Sequence, residues 1–275
     1  MTVLVNGKQN PQTSVSDRGF LYGQSVFETI AVINSKSCLL DLHINRLQRG
    51  CDVLSIPLDT KILREEIQSL IKDQERAVLR VTISMGVGGR GYLNPQSPVP
   101  TRVLSLHDYP NHPTSNWDEG ITLGVADIRL SHQPMLAGIK HGNRLEQVIA
   151  RSQWHDNWHE ALLLDQQGTV VEATQSNVFI VNADQLITPS LQLAGVEGVA
   201  REYVMSQAHK LGLQVKIMSL SIDHIEAADE VFLTNSVIGL WPVKQLNSKC
   251  YTDHRNSHKL LKLLIKNEVI PDYKT

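Results

Sequence analysis

Residues 137–145 read AGIKHGNRL, and their lysine, Lys140, stands between an apolar tripeptide and the expected start of a helix near Asn143. Burial at such a place lowers the pKa of a lysine toward the range in which its neutral amine forms a Schiff base with a carbonyl group. A lysine taken alone is more commonly a solvated surface charge. The stretch therefore indicates carbonyl chemistry only if other residues support it.

Three other features of the chain supply that support. Residues 195–198 read GVEG and lead into a helix expected over Val199 to Leu211, which turns backbone N–H groups and a positive helix end toward an anion such as phosphate. Glu172 interrupts an apolar strand and needs a cationic partner, and Arg46 interrupts an apolar helix face. Each feature also has a simpler interpretation: a helix cap, a solubilising charge on an edge strand and a surface ion pair, respectively. Together with a Schiff-base lysine, they form the set that pyridoxal 5′-phosphate (PLP) requires.

Hydrophobic periodicity places these residues in a two-domain chain. Before residue 107, short strands alternate with two amphipathic helices, one beginning at Asp41 as N-cap and one over Lys61 to Lys72. Residues 108–118, DYPNHPTSNWD, hold two prolines and few apolar side chains, which is typical of a linker. We therefore expect a smaller N-terminal α+β domain over residues 1–108, a linker over 109–118, and a larger C-terminal α/β domain over 119–275 that carries Lys140.

Composition excludes several classes of protein. The 275 residues include 26 basic and 28 acidic side chains, so no basic field is available for a nucleic-acid backbone. The three cysteines, Cys38, Cys51 and Cys250, are far apart and form no CxxC pair, which argues against a disulfide framework or a thiolate zinc site. We find neither a signal peptide nor an apolar run long enough to span a membrane, and we expect a soluble cytoplasmic protein.

A glycine-rich loop at residues 86–91, GVGGRG, matches the dinucleotide-binding pattern GxGxxG. Its context contradicts that function, because the following residues 92–98, YLNPQSP, cannot open the helix that holds a pyrophosphate. A flexible loop that presents Arg90 to an anionic ligand is the better interpretation.

Two histidine pairs, His155 with His159 and His254 with His258, have the i, i+4 spacing of metal ligands on a helix. Neither pair has a third ligand nearby in sequence, and the zincin pattern is absent. We therefore expect no metal site. The chain also lacks the GxSxG and GxxxxGK[ST] motifs of serine hydrolases and P-loop enzymes.

At this point the chain resembles a known family, the fold-type IV PLP enzymes. The resemblance is carried by Arg46 within HINRL at 43–47, by Lys140 within residues 137–145, and by EATQSNVF at 172–179. That family includes branched-chain and D-amino-acid aminotransferases and 4-amino-4-deoxychorismate lyases. Residues 88–92, GGRGY, and residues 138–147, GIKHGNRLEQ, are most similar to the lyases. The resemblance implies an α+β, two-domain fold like that of D-amino-acid aminotransferases, a PLP cofactor and a homodimer.

The family also implies individual roles. Lys140 is the expected Schiff-base lysine and general base, Glu172 the partner of the pyridine nitrogen, and Arg46 a phosphate ligand. Arg144 stands where aminotransferases of the family commonly carry a tyrosine near the ring oxygen, a departure that weakens the aminotransferase interpretation. The remaining cofactor-binding candidates are Asn177, the backbone N–H groups of Val196 and Glu197, and the strand-end residues Thr234 and Asn235.

The substrate implied by the lyase resemblance is 4-amino-4-deoxychorismate, which would be converted to 4-aminobenzoate and pyruvate in folate biosynthesis. Arg90, Tyr92 and Arg102 are candidate contacts for its carboxylates, and Thr29 is a candidate polar group near the reacting carbon. Two alternatives stay open. One is a PLP-dependent aminotransferase for branched-chain or D-amino acids, and the other is a non-catalytic, cofactor-binding dimeric scaffold in which Lys140 is a surface charge.

Overall fold

The structure is a computed structural model that describes residues 2–9 and 12–274, and its chain divides into two compact units. Unit one comprises Met1–Pro110 and Ile139–Asn143, and unit two comprises Asn111–Gly138 and Arg144–Thr275. The first boundary falls inside the stretch expected to be a linker. Lys140 differs from expectation, because its segment groups with unit one and not with the C-terminal part of the chain.

Unit one is built on an antiparallel five-stranded sheet with the strand order β1-β5-β4-β2-β3. The strands are Thr2–Val5 (β1), Ser25–Ile33 (β2), Lys36–Ser37 (β3), Arg76–Ser84 (β4) and Thr101–His107 (β5). The helices are Arg18–Tyr22 (α1), Leu40–Val53 (α2) and Thr60–Ile71 (α3).

The apolar core of unit one gathers one face of this sheet with α2 and α3. Successive side chains of a strand point to opposite faces. Val26, Ile30 and Val32 of β2 therefore share one face, and they join a buried cluster with Ile44 and Leu47 of α2. The other face of β2 carries the alternate residues, among them the aromatic Phe27 and the polar Thr29.

Helix α2 begins differently from the prediction. Its N-cap residue is Leu39, in a left-handed conformation with φ of 51°, and Asp41 lies in the first helical turn. The expectation that Asp41 caps the helix is therefore wrong. Its carboxylate accepts a hydrogen bond from Arg64 of α3 at 2.7 Å, and a negative charge in the first turn suits the helix dipole.

The segment Ile139–Asn143 joins unit one because it pairs with the edge of β2. The Phe27 N–H donates to the Lys140 carbonyl at 2.9 Å, and the Gly142 N–H donates to the Ser25 carbonyl at 2.7 Å. A backbone bridge between Val26 and His141 lies between these two bonds. Hydrogen bonding to a rigid strand thus determines the backbone position of Lys140.

Unit two is built on a nine-stranded mixed sheet with the order β11-β10-β9-β12-β13-β6-β7-β8, and β14 pairs with β13. The strands are Ile121–Leu130 (β6), Glu160–Asp165 (β7), Val170–Ala173 (β8), Asn177–Asn182 (β9), Gln185–Pro189 (β10), Gln214–Met218 (β11), Glu230–Asn235 (β12), Gly239–Leu246 (β13) and Lys249–Cys250 (β14). The helices are Ser115–Asp118 (α4), Leu145–Ser152 (α5), Val199–Gln207 (α6), Ile222–Glu226 (α7) and Arg255–Lys266 (α8).

In unit two, the structure confirms one predicted helix and shows a short helix inside the stretch that was expected to be a linker. The helix expected over Val199 to Leu211 is α6 followed by a 3₁₀ turn at Ala208–Leu211, and Gly212 ends it with φ of 72°, as predicted. Inside the predicted linker, by contrast, α4 carries a buried tryptophan, Trp117, whose indole N–H donates to the Ile238 carbonyl at 2.9 Å. Among the described residues, no helix is long and apolar enough to cross a membrane.

Candidate active site

In unit one, Lys140 contacts an aromatic side chain of the neighbouring strand. Its Nζ atom lies 4.6 Å from the ring centroid of Phe27, and the Arg80 guanidinium carbon lies 4.2 Å from the same centroid. Both contacts are cation–π interactions. Thr29 is two residues beyond Phe27 on β2 and is the register partner of Arg80. The structure thus brings Lys140 and Thr29 to the same face of β2, as their predicted roles require.

The opposite face of β2 carries a buried ionic cluster made of Glu28, His43 and Arg46. The three residues are 1%, 1% and 5% exposed. Arg46 donates from Nε to Glu28 Oε1 at 2.8 Å and from Nη2 to Glu28 Oε2, and His43 Nδ1 lies 2.6 Å from Glu28 Oε2. The alternative interpretation of Arg46 as part of a surface ion pair is therefore wrong, since its ion pair is buried.

The charges of this cluster determine its protonation. Burial by itself raises the pKa of Glu28, but the charge and hydrogen bonds of Arg46, assisted by His43, outweigh burial and lower that pKa to about 2. Burial lowers the pKa of His43, Glu28 opposes that shift, and the positive charges of Arg46 and Lys140 add to it. Glu28 is therefore ionised at neutral pH, and Lys140 is close enough to the cluster to influence His43.

In unit two, Glu172 lies in β8 and is only 5% exposed, so it is not the half-exposed side chain of an edge strand. Its Oε2 accepts a hydrogen bond from the Val196 N–H at 2.8 Å, and Asn177 Nδ2 donates to the Val196 carbonyl at 2.8 Å. Gly195, with φ of 86°, brings the chain past Glu172, and a Cβ atom there would lie 2.7 Å from Val171. Three predicted cofactor-binding residues therefore form one connected group.

The backbone donors expected to bind phosphate have other acceptors in the structure. The Val196 N–H donates to Glu172, and the Glu197 N–H donates to the Gly138 carbonyl at 3.0 Å. The physical reason is a short parallel bridge between Gly138 and Val196, whose hydrogen bonds use the backbone groups of this loop. In this structure both N–H groups are therefore directed to acceptors of the protein, and not to a phosphate as expected.

A second polar group of unit two connects the end of β12 to the start of β7. Asn235 Nδ2 donates to Ser176 Oγ at 3.1 Å, and Ser176 Oγ donates to Glu160 Oε1 at 3.0 Å. Next to Asn235, the hydroxyl of Thr234 is buried and has no hydrogen-bond partner among the described residues. A buried hydroxyl of this kind requires a partner, which a bound oxygen-rich ligand would supply.

The predicted substrate-binding residues differ in their surroundings. Arg90 and Tyr92 are exposed on the glycine-rich loop, and the carbonyl of Tyr92 accepts a hydrogen bond from Arg18 at 3.1 Å. Arg102 instead forms a two-bond ion pair with Glu66, from Nε at 2.8 Å and from Nη2 at 2.6 Å. This pair uses donors that a substrate carboxylate would need. The structure therefore does not favour Arg102 as a substrate contact.

Arg144, the remaining candidate, is partly buried and is the residue from which helix α5 begins. Its side chain makes no capping bond to that helix. The structure describes no cluster of three or more histidine, cysteine or acidic side chains suited to a metal ion within residues 2–9 and 12–274.

Sequence reasoning missed four polar residues of these groups: Glu28, His43, Arg80 and Glu160. Signals were present for some of them. Glu28 stands at a core-facing position of an otherwise apolar strand, and His43 precedes Arg46 by three residues, which is one helical turn. Glu160 immediately precedes the apolar run ALLL at 161–164 and is the first residue of β7.

Comparisons with known proteins agree with these observations. Residues 25–246 match the family described as amino-transferase class IV. The chain is 33% identical over 246 residues to the aminodeoxychorismate lyase of Vibrio harveyi, covering 89% of this chain and 91% of that protein. It is 24% identical over 261 residues to a D-alanine aminotransferase of Listeria monocytogenes, covering 90% of this chain and 88% of that protein.

A solved structure shows the same architecture. The crystal structure of 4-amino-4-deoxychorismate lyase from Pseudomonas aeruginosa superposes with a TM-score of 0.93 and 39% sequence identity, covering 96% of this chain and 98% of that chain. The predicted fold class, the α+β fold of fold-type IV enzymes, is confirmed by this match.

Proposed function

We propose that this chain, which belongs to the amino-transferase class IV family, is a PLP-dependent carbon–oxygen lyase that converts 4-amino-4-deoxychorismate to 4-aminobenzoate and pyruvate. One observation carries the proposal: 39% identity over nearly the full length of both chains to an enzyme named for that activity. The position of Lys140, on the same face of β2 as Thr29, supports it from the structure.

The residues present fit the cofactor. A phosphate oxygen would supply the partner that the buried Thr234 hydroxyl lacks, and Asn235 is adjacent. Glu172, held in place by the Val196 N–H, would bind the ring nitrogen as an anion, and Lys140 would bind the aldehyde carbon. Arg46 as a phosphate ligand and Asn177 and Arg144 as further cofactor contacts belong to the same proposal.

When bound, PLP supplies an aldehyde for the substrate amine and a ring that accepts electron density. The Lys140 Nζ, as a neutral amine, would accept the proton from the amine-bearing carbon of the substrate. The Glu172 carboxylate would stabilise positive charge at the ring nitrogen. Loss of that proton would allow the bond between the substrate ring and the enolpyruvyl oxygen to break. Lys140 would return the proton to the enol to give pyruvate and would bind the aldehyde carbon again as 4-aminobenzoate leaves, so no external acceptor is needed.

The remaining partners follow from the same proposal. We propose that Arg90 and Tyr92 contact the substrate carboxylates, since both are exposed on a loop that Arg18 anchors. A homodimer, which the family resemblance implies, and a cytoplasmic location are part of the same proposal.

The proposal is tested by giving the purified holoenzyme 4-amino-4-deoxychorismate without any keto acid and measuring both products. Equal amounts of 4-aminobenzoate and pyruvate would support the lyase. If the protein carries PLP but forms neither product, spectra of the cofactor after addition of branched-chain or D-amino acids would test the aminotransferase alternative. A colourless protein whose spectrum does not change with PLP would favour the non-catalytic scaffold.

A further inference from the structure

Glu160 is a buried carboxylate to which the proposed reaction assigns no role. It begins β7, is 2% exposed, and its Oε1 accepts a hydrogen bond from Ser176 Oγ at 3.0 Å. Its other oxygen, Oε2, is fully buried and has no hydrogen-bond partner in the described part of the chain. An ionised carboxylate with one oxygen desolvated in this way is costly, whereas a carboxylic acid is far less so.

A second buried carboxylate, Glu172, is close enough to Glu160 for their charges to interact. The two strands that carry them, β7 and β8, are paired, and Glu172 is the register partner of Leu163. Adjacent residues anchor the two groups. Ser176 donates to Glu160, whereas Asn177 donates to the carbonyl of Val196, the residue whose N–H donates to Glu172. The negative charge of Glu172 therefore adds to burial in raising the pKa of Glu160, although it is a smaller cause than burial.

We propose that Glu160 is a positioning residue: as a neutral carboxylic acid it holds Ser176, and through Ser176 the end of β12, without placing a second negative charge beside Glu172. The assignment of the proton follows from the unpaired oxygen. Glu160 Oε2 has no hydrogen-bond partner among the described residues, whereas Glu172 Oε2 accepts the Val196 N–H at 2.8 Å. The relevance of Glu172 to the ring nitrogen rests on the proposed function, but the protonation of Glu160 does not.

Electrostatics supports this assignment. Burial, the largest cause, and the charge of Glu172 raise the pKa of Glu160 to about 7, although Ser176 and the backbone of Gln175 and Ala161 stabilise its ionised form. The adjacent His159 supplies no compensating charge, since burial lowers its pKa and its Nδ1 accepts the Thr122 N–H at 3.3 Å. Asn235, which reaches the group through Ser176, is uncharged.

The proton on Glu160 also explains why this polar group is arranged asymmetrically. Ser176 accepts from Asn235 and therefore has its own proton to donate to Glu160 Oε1. The carboxylic proton of Glu160 then belongs on Oε2. Asn235 is at the same time held by its carbonyl, which accepts the N–H groups of Val237 and Ile238 at 2.9 Å each. A neutral Glu160 thus holds the end of β12 without adding a negative charge to it.

The test uses the cofactor-free full chain with ¹³C-labelled glutamate carboxyl groups, titrated by NMR. Comparison with Glu160→Gln and Glu172→Gln identifies the two signals. We expect Glu160 to titrate near pH 7, and we expect its midpoint to fall in Glu172→Gln, because a like charge is removed. An ordinary carboxylate midpoint for Glu160, or a midpoint that Glu172→Gln does not move, would overturn the proposal.

Two further measurements keep the test decisive if a buried variant fails to fold. Ser176→Ala removes a donor to the ionised form and should raise the Glu160 midpoint, whereas Glu65→Gln, at an exposed position of α3, should leave it unchanged. In the unmodified protein, the infrared carbonyl band of a buried carboxylic acid should disappear as the pH rises through 7. Absence of this carbonyl band at pH 6 would contradict the proposal. Because no cofactor or substrate is present, these results do not depend on whether the lyase reaction occurs.

Discussion

Arg46 and Glu28 form a two-bond ion pair inside unit one, with Arg46 Nε 2.8 Å from Glu28 Oε1 and neither residue more than 5% exposed. The pair connects α2 to β2, and His43 binds the same carboxylate. Glu28 binds both Nε and Nη2 of Arg46, and this two-bond pairing holds the guanidinium in one orientation. The geometry of Arg46 therefore depends on a glutamate that has no predicted role of its own.

Replacing Glu28 by glutamine should lower the free energy of unfolding by about 3–5 kcal/mol, because it leaves the Arg46 charge buried without its anion. Chemical denaturation measures this change. Glu65→Gln, which removes the same charge at an exposed position, is the matched control and should have little effect. Equal stabilities of the two variants would show that Glu28 does not stabilise Arg46.

The lowered pKa of Glu28 predicts that the free energy of unfolding depends on pH in the acid range. Since folding lowers the pKa of Glu28 from 4.5 to about 2, its contribution is complete above pH 4.5 and is lost as the pH falls toward 2. The loss amounts to about 3 kcal/mol over that window. The difference in stability between the natural protein and Glu28→Gln, measured at several pH values, should shrink accordingly. A difference that is constant from pH 5 to pH 2.5 would contradict the assignment.

Lys140→Ala should abolish turnover and leave the fold intact. The position of Lys140 depends on backbone hydrogen bonds to Ser25 and Phe27, which alanine keeps, while the amine is lost. Product formation and circular dichroism measure the two effects. Lys262→Ala, at an exposed position of α8, should be active. Near-normal turnover of Lys140→Ala would refute the assignment of the Schiff-base lysine.

Glu172→Gln should lower the turnover rate by about 10² to 10³, because the amide retains an acceptor for the Val196 N–H but carries no charge. Steady-state kinetics and the visible absorbance of the bound cofactor report the change. The control is Glu202→Gln on the exposed side of α6. Full activity with unchanged absorbance would remove Glu172 from the mechanism.

Arg102→Gln tests the prediction that Arg102 contacts a substrate carboxylate, which the structure does not favour. Because Arg102 binds the largely buried Glu66, its loss should destabilise the protein by about 2 kcal/mol. The KM for substrate should stay unchanged. Thermal unfolding and kinetics separate the two effects, and a KM raised several-fold without loss of stability would restore Arg102 as a substrate contact.

Local patterns predicted several helices, because short-range properties govern them. The apolar periodicity located α3, expected over Lys61 to Lys72 and found at Thr60–Ile71, and Gly212 marked the end of the 3₁₀ turn that follows α6. The same patterns misplaced the start of α2 and did not show that α4 is helical and buries Trp117. Those features depend on contacts with residues distant in sequence, which periodicity does not record.

For the candidate site, too, the sequence predicted some features and the tertiary structure supplied the others. The sequence by itself determined the family of this protein and its expected cofactor, and it predicted Lys140 and Glu172 as reactive residues, because such side chains stand in short motifs that can be recognised without knowledge of the fold. Only the tertiary structure decided the electrostatic surroundings of those groups. It placed Lys140 on an edge of β2, paired Arg46 with Glu28, and set Glu160 near Glu172. The physical reason is that pKa values depend on burial and on charges a few ångströms away, and these are set by folding and not by position in the chain.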